Sequence, residues 1–332
     1  MKPGLALYLM QASSIEPGRP LRILVAASCR SPFVMRHAGA LLARHGHDVV
    51  FAGASSPCTW RVDVIVTDDG HAGMVPLLLG PRHERPRMVM LGLSPWRAAA
   101  FPIGGCGPLA GWLAMRLLPE RFLQLGVPAF ESEVYRVPDN FRFIGAFRHA
   151  ASDSATRGEP VLLAPEVATS GIRPVIVNAV RAADGGGSPR APTSLATYAA
   201  ALRHARIAVC GPSMVSVLLA LQAGVPVLCL GRCAQAHALA ARLRASGTGI
   251  GLPDTARLSA IVPALRSLAT LARFRHRAGA VSIEFDEFDT QRLLLDAVQA
   301  PAPIPATHST ITAFAGNPHE DYYRHHSLAQ PG

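Results

Sequence analysis

The stretch that decides the fold runs from Ala205 to Leu252. It begins Ala-Arg-Ile-Ala-Val-Cys-Gly-Pro-Ser-Met-Val-Ser-Val-Leu-Leu-Ala-Leu-Gln-Ala-Gly-Val-Pro-Val-Leu-Cys-Leu-Gly. Two short apolar runs, at residues 207–210 and 225–230, flank a helical stretch at 214–222, and a second helix at 235–246 follows. Short apolar runs that alternate with helices are typical of buried parallel strands. The stretch therefore predicts an α/β unit with a parallel sheet.

The same alternation extends outward through both halves of the chain. Further strands are predicted at residues 21–27, 48–52, 62–67, 88–91, 141–147, 161–163 and 175–178. Further helices are predicted at residues 34–45, 74–79, 195–203 (capped by Thr193 or Ser194), 255–271 and 291–298. This order predicts a doubly wound α/β fold with two Rossmann-like domains that face each other across a cleft.

Composition changes along the chain suggest where the domains begin and end. Residues 1–20 form an N-terminal extension, and 21–150 form the first Rossmann-like domain. Residues 151–159 are small, polar and contain glycine, so they are the predicted linker. Residues 160–298 form the second domain, and 299–332 form a tail that we expect to be flexible.

The overall composition excludes several classes of protein. Hydrophobic residues make up 49% of the 332 residues and charged residues 16%, which excludes a disordered chain. No apolar run approaches the roughly 20 residues of a spanning helix, so we expect no transmembrane segment. The six cysteines form neither zinc-ligand pairs nor a disulfide framework. A reducing cytoplasm is therefore the expected location.

The formal net charge of +10 raises the question of nucleic-acid binding. Lys2 is the only lysine, and the arginines are scattered singly along the chain. Nucleic-acid binding needs basic side chains gathered on one face. We therefore expect no nucleic-acid partner.

The segment 205–252 resembles the donor-binding half of GT-B glycosyltransferases of the UDP-glycosyltransferase type, especially the bacterial natural-product enzymes. The resemblance lies in Ala223-Gly224-Val225-Pro226, in the glycine-rich run at 247–252 and, in the first half, in residues 44–53. It implies a GT-B-like fold. It also implies inverting transfer of a sugar from a UDP- or dTDP-sugar to a small hydroxylated acceptor, with no cofactor and no metal.

The resemblance also implies a donor site. With Ala223-Gly224-Val225-Pro226 aligned, the donor-binding candidates are Gly211, Ser213, Met214 and Ser216 at the start of the 214–222 helix, and Gln235 near the donor sugar. Free N–H groups at a helix N-terminus bind phosphate oxygens. This chain departs from the family at Pro212, which has no N–H, and at the glycine pair. The acidic residue beside Gln235 is also absent.

The catalytic base is a further departure. Ser31 occupies the position of the family's histidine, and serine is not a useful base at neutral pH. His37, on the following helix, is the candidate substitute base. Asp68 and Asp69 end a predicted strand where they could face the cleft.

Two other functions remain open. The altered motifs suit a catalytically inert GT-B-like protein that binds a nucleotide sugar or a protein partner. In addition, Gly211-Pro212-Ser213-Met214-Val215 partly matches the nucleophile elbow of α/β-hydrolases, although Val215 replaces a glycine. Its triad would draw on Asp254, Asp286 or Asp289 and a tail histidine such as His308. The tail histidines lack the i, i+4 spacing of metal ligands on a helix, so we expect no metal site.

Overall fold

The computed structural model describes residues 19–28, 32–52, 62–69, 74, 85–93, 119–131, 140–147, 161–184 and 188–300. The predicted linker at 151–159 lies outside these residues. So do Ser31, nearly all of the predicted N-terminal extension and tail, and the predicted helix at 74–79 except Met74.

The first unit is built on a six-stranded sheet. Its strands are β1 (Arg22–Ala26), β2 (Asp48–Ala52), β3 (Val64–Asp68), β4 (Arg87–Gly92), β5 (Arg121–Gln124) and β6 (Phe141–Phe143), and helix α1 (Pro32–Arg44) follows β1. They pair in the order β2-β1-β3-β4-β5-β6, with every register parallel. Central strands β3 and β4 are almost wholly buried, as expected for apolar strands covered on both faces.

The second unit is built on a four-stranded sheet. Its strands are β7 (Val161–Leu163), β8 (Ile207–Cys210), β9 (Val227–Leu230) and β10 (Gly249–Leu252), parallel in the order β10-β9-β8-β7. Its helices are α2 (Pro165–Ala168), α3 (Arg173–Asp184), α4 (Leu195–Leu202), α5 (Met214–Gln222), α6 (Ala234–Ala245), α7 (Leu258–Thr270), α8 (Ala272–Asp286) and α9 (Thr290–Gln299). The predicted α/β class with parallel sheets is confirmed.

One predicted strand is wrong. Residues 175–178 lie in helix α3, not in a strand. Pro174 is at the start of the helix, where its missing N–H costs nothing, and the buried residues Ile176, Ala179 and Val180 follow a helical spacing. The apolar run Val175–Val177 was too short to distinguish a strand from one face of a helix.

The end of one strand and the number of helices near the C-terminal end of the second unit also differ from the predictions. The last strand of the first unit ends at Phe143, two residues before Gly145, whose φ is +71°. The predicted helix at 255–271 is α7, and a second helix that the sequence did not predict, α8, follows it directly. Ser194, one of the two predicted caps, caps α4.

Apolar side chains from both units form one continuous core, which includes Leu125 and Phe130 of the first unit and Leu218 of α5. Helix α9 then returns to the first sheet. Thr290 donates its hydroxyl proton to the carbonyls of Ile144 and Ala146, at either end of Gly145. No helix in the described parts of the chain is long and apolar enough to cross a membrane.

Candidate functional site

A cavity of about 550 Å³ lies at the carboxyl edge of the second sheet. It is lined by the segments that follow the four strands of that sheet: Glu166 and Val167 after β7, Gly211 and Pro212 after β8, Gly231, Arg232 and Cys233 after β9, and Asp254 after β10. Ligands of open parallel α/β sheets bind at this edge, where the loops converge. We therefore take this cavity as the candidate site.

Helix α5 begins beside this cavity. Ser213 is its N-cap, and the Ser213 hydroxyl accepts a hydrogen bond from the Ser216 N–H at 3.3 Å. The Ser213 backbone is extended, with φ −101° and ψ 111°. A nucleophile elbow needs a strained turn at its serine, so this geometry does not support the hydrolase alternative.

The carboxylate of Glu166, in the short helix that follows β7, lies at the start of α5. Glu166 Oε1 accepts a hydrogen bond from the Gly211 N–H at 3.2 Å, and Oε2 accepts one from the Ser216 hydroxyl at 3.1 Å. A Cβ at position 211 would lie 2.8 Å from the Glu166 Cγ, so glycine is required for this approach. Burial raises the pKa of Glu166, and the hydrogen bonds from Ser216 and Gly211 oppose that rise.

A buried phenol and two buried thiols lie close enough to this carboxylate to feel its charge. The Tyr198 hydroxyl is 3.3 Å from Cys210 Sγ, and Cys229 Sγ is 3.6 Å from the Gly211 carbonyl. Burial raises the pKa of Tyr198 and of Cys210, and it raises that of Cys229 to about 12. The nearby Glu166 charge raises all three further. All three groups are therefore neutral at physiological pH and unsuited to nucleophilic attack.

The structure brings together most of the predicted donor residues. Gly211 lines the cavity, and Ser213, Met214 and Ser216 form the first turn of α5 beside it. Ser216 and Met214 are fully buried, however, at 0% and 2% exposure. Gln235 lies half-buried in the first turn of α6, two residues after Cys233, and is not among the described residues that line the cavity.

The candidate base His37 lies elsewhere, at the contact between the two units. Its ring centroid is 5.1 Å from that of Phe147, and both line a cavity of only about 10 Å³ with Val215 and Leu219 of α5. Its surroundings are therefore apolar and closely packed. Ser31, the other candidate, lies outside the described residues.

The two aspartates at the end of β3 have structural partners. Asp68 Oδ2 accepts a hydrogen bond from the Ser28 N–H at 2.7 Å, and Asp69 Oδ1 accepts one from the Leu93 N–H at 3.1 Å. These bonds join the segments after three neighbouring strands. Among the described residues, no group of three His, Cys, Asp or Glu side chains could hold a metal ion.

Sequence reasoning missed Glu166, the residue that makes the most distinctive contacts of this site. The signal was present: Pro165-Glu166 lies one residue after the predicted strand at 161–163, and proline followed by an acidic residue is typical of a helix start.

Comparisons with known proteins agree with this architecture. No protein-family model matches the chain, and no curated protein matches it by sequence. Solved structures do match. The glycosyltransferase of kitacinnamycin superposes with a TM-score of 0.62 at 16% identity, over 86% of this chain and 100% of that one. A spinosyn rhamnosyltransferase complexed with thymidine diphosphate gives 0.60 at 16% identity, over 84% and 100%.

A third solved structure, a glycosyltransferase from Streptomyces nogalater, gives a TM-score of 0.58 at 15% identity, over 84% of this chain and 99% of that one. The molecule is thus a two-domain α/β protein with a cavity at the carboxyl edge of its second sheet. Its fold is that of the GT-B glycosyltransferases, as the sequence resemblance implied.

Proposed function

We propose that the protein transfers a sugar from a UDP- or dTDP-sugar to a small hydroxylated acceptor, with inversion at the anomeric carbon. The observation that carries this proposal is the cavity of about 550 Å³ in a GT-B fold, with the N-terminus of α5 beside it. Solved neighbours support it: a spinosyn rhamnosyltransferase has been solved in complex with thymidine diphosphate and also with spinosyn aglycone. The proposed setting is natural-product glycosylation in the cytoplasm.

The proposed donor site uses the first turn of α5. The helix dipole and its N–H groups favour the negative charge of a diphosphate. Ser213 and Ser216 add hydroxyl donors there, with Gly211 and Met214 beside them, and Gln235 offers both a donor and an acceptor to the sugar hydroxyls. No cofactor or metal is part of this proposal.

In the proposed reaction the acceptor oxygen attacks the anomeric carbon as the bond from that carbon to the diphosphate oxygen breaks. The nucleoside diphosphate leaves with the bonding electron pair, and the acceptor proton passes to a base. His37 is the candidate for that base, and Ser31 occupies the position that the base has in the family.

A thermal-shift screen of UDP-, dTDP- and GDP-sugars tests donor binding. A ligand at 100 times its Kd stabilises the native state by about 2.7 kcal/mol, which is readily measured. We expect a shift with a UDP- or dTDP-sugar, and mass spectrometry should then detect transfer to a hydroxylated acceptor. Gln235→Ala should weaken binding of the sugar nucleotide and leave binding of free dTDP unchanged. No shift with any donor would overturn the proposal.

One observation favours a second candidate, a GT-B-like binding protein without turnover. His37 lies against Phe147 at a cavity of only about 10 Å³, which is lined otherwise by apolar side chains of both units. Such a protein could bind a nucleotide sugar or a protein partner. Donor binding without hydrolysis or transfer between pH 6 and pH 9, and an unchanged result for His37→Ala, would favour this candidate.

A further inference from the structure

The start of α5 already has a negatively charged group at the place that a diphosphate would need. Glu166 uses both of its carboxylate oxygens there, one on the Gly211 N–H and one on the Ser216 hydroxyl. The Ser216 N–H is bonded to the Ser213 hydroxyl. Three of the hydrogen-bond donors that would hold phosphate oxygens are therefore engaged within the chain.

The arginine at the cavity does not neutralise the charge of the Glu166 carboxylate, because it is paired with another acidic residue. Arg232, the arginine that lines the cavity, is paired with Asp254, with 2.6 Å between Nε and Oδ1. A diphosphate that bound the Gly211 N–H and the Ser216 hydroxyl would lie next to the Glu166 carboxylate, because the same two groups hold that carboxylate at 3.2 and 3.1 Å. Like charges at such a distance repel, and each disfavours the charged form of the other.

We propose that Glu166 is a specificity-determining residue that competes with the donor diphosphate for the N-terminus of α5. The diphosphate binds only when the carboxylate leaves Gly211 and Ser216 and turns into the adjoining cavity, or when it is neutral. This inference rests on the proposed function. On this proposal, Glu166 lowers the affinity of the protein for the diphosphate. It does not change how the uncharged parts of the ligand bind.

The surroundings of Glu166 make the carboxylate easier to displace or neutralise. Burial raises the pKa of Glu166, so its charged form pays a desolvation cost in this position. The groups that face it from α4, β8 and β9 are Tyr198, Cys210 and Cys229, whose raised pKa values keep them uncharged. Cys233, Arg232 and Asp254 complete the described titratable groups around the cavity.

Calorimetric titration of four full-length proteins with inorganic pyrophosphate and with dTDP tests the proposal. The proteins are the wild type, Glu166→Gln, Glu166→Ala and the control Glu287→Gln. The glutamine variant removes the charge and keeps an oxygen that can accept from Gly211 or Ser216, so it preserves the fold most closely. Glu287 is exposed at the end of α8, so its variant removes one negative charge from the same unit without changing the lining of the cavity. Circular dichroism checks that each variant is folded.

We expect both Glu166 variants to bind pyrophosphate and dTDP about tenfold or more tightly than the wild type, with Glu287→Gln unchanged. Equal or weaker binding by the Glu166 variants would overturn the proposed role of Glu166. If the wild type still binds dTDP in that case, the proposed function would survive. Tighter binding of pyrophosphate alone would support the role of Glu166 and count against a nucleotide-sugar donor. No binding of either ligand by any of the four proteins would overturn both.

Discussion

Glu131 and Arg242 form a buried ion pair between the two units of the molecule, with 2.6 Å between Oε2 and Nε. Glu131 lies beyond β5 in the first unit, and Arg242 lies on α6 in the second. Glu131 is 1% exposed and Arg242 is 8% exposed. Since a buried charge that loses its partner is costly, this pair ties the stability of the native state to the contact between the units.

Arg242→Ala should therefore lower the free energy of unfolding by about 3–5 kcal/mol, because it leaves the Glu131 carboxylate buried without its cation. Urea denaturation followed by circular dichroism measures the change. Arg244→Ala, an exposed position on the same helix, is the matched control and should stay within about 0.5 kcal/mol of the wild type. Equal effects of the two substitutions would show that the ion pair contributes nothing specific.

Replacement of glycine by alanine should change the stability of the protein in opposite directions at two positions. Gly224 has φ +69° just after α5 ends, so Gly224→Ala should destabilise the protein by about 1–2 kcal/mol. Gly279 lies inside α8, and a Cβ there would meet nothing within 4 Å. Gly279→Ala should stabilise the protein by about 0.5–1 kcal/mol. Thermal or urea unfolding of both variants checks the signs, and loss of stability in both would contradict the account.

The raised pKa of Glu166 should give a measurable pH dependence of stability. The folded carboxyl holds its proton more tightly than the unfolded one. The contribution of this carboxyl group to the stability of the folded state is therefore fully present below the ordinary carboxyl pKa. It is lost as the pH rises through the pKa that Glu166 has in the folded protein. The difference in unfolding free energy between wild type and Glu166→Gln should fall across that window and then level off. Urea denaturation at a series of pH values tests this, and a difference that rises with pH would refute it.

The described cysteines should differ in reactivity. Cys210 and Cys229 are buried with raised pKa values, whereas Cys233 is exposed at the cavity. Brief alkylation of the native protein at pH 7.5, followed by peptide mass mapping, should label Cys233 and leave the other two unmodified, because the thiolate is the reactive form. Labelling in denaturant is the control, since all three should then react. Bound dTDP should slow the labelling of Cys233, and rapid native labelling of Cys210 would contradict the structure.

Strand β8 and helix α5 of the second unit could be predicted from the sequence, because the strand is fully apolar and the helix begins and ends at clear signals. The helix predicted at 214–222 is found at Met214–Gln222, between a serine cap and Gly224. The predicted strand at 207–210 is likewise found at Ile207–Cys210. In both cases the local pattern and the tertiary environment favour the same structure.

The site was harder to predict, because it depends on contacts between residues that are distant in the chain. Glu166 meets Ser216 across 50 positions, and no local pattern indicates that contact. His37 could be placed on a helix, but its position against Phe147 follows from how the two units pack. Sequence periodicity predicts which face of an element is buried, and it does not predict which partner covers that face.

The return of α9 to the first sheet has a consequence for the order in which the protein is made. Arg87 on β4 donates a hydrogen bond from Nη2 to the Val298 carbonyl at 2.7 Å, and Leu294 and Val298 belong to the core shared with the first unit. During synthesis on the ribosome, Arg87 must therefore wait for Val298, 211 positions further along the chain, before this hydrogen bond can form. The four strands of the second sheet all precede α9 in the chain, so they are synthesised before the first sheet can gain its contacts with that helix.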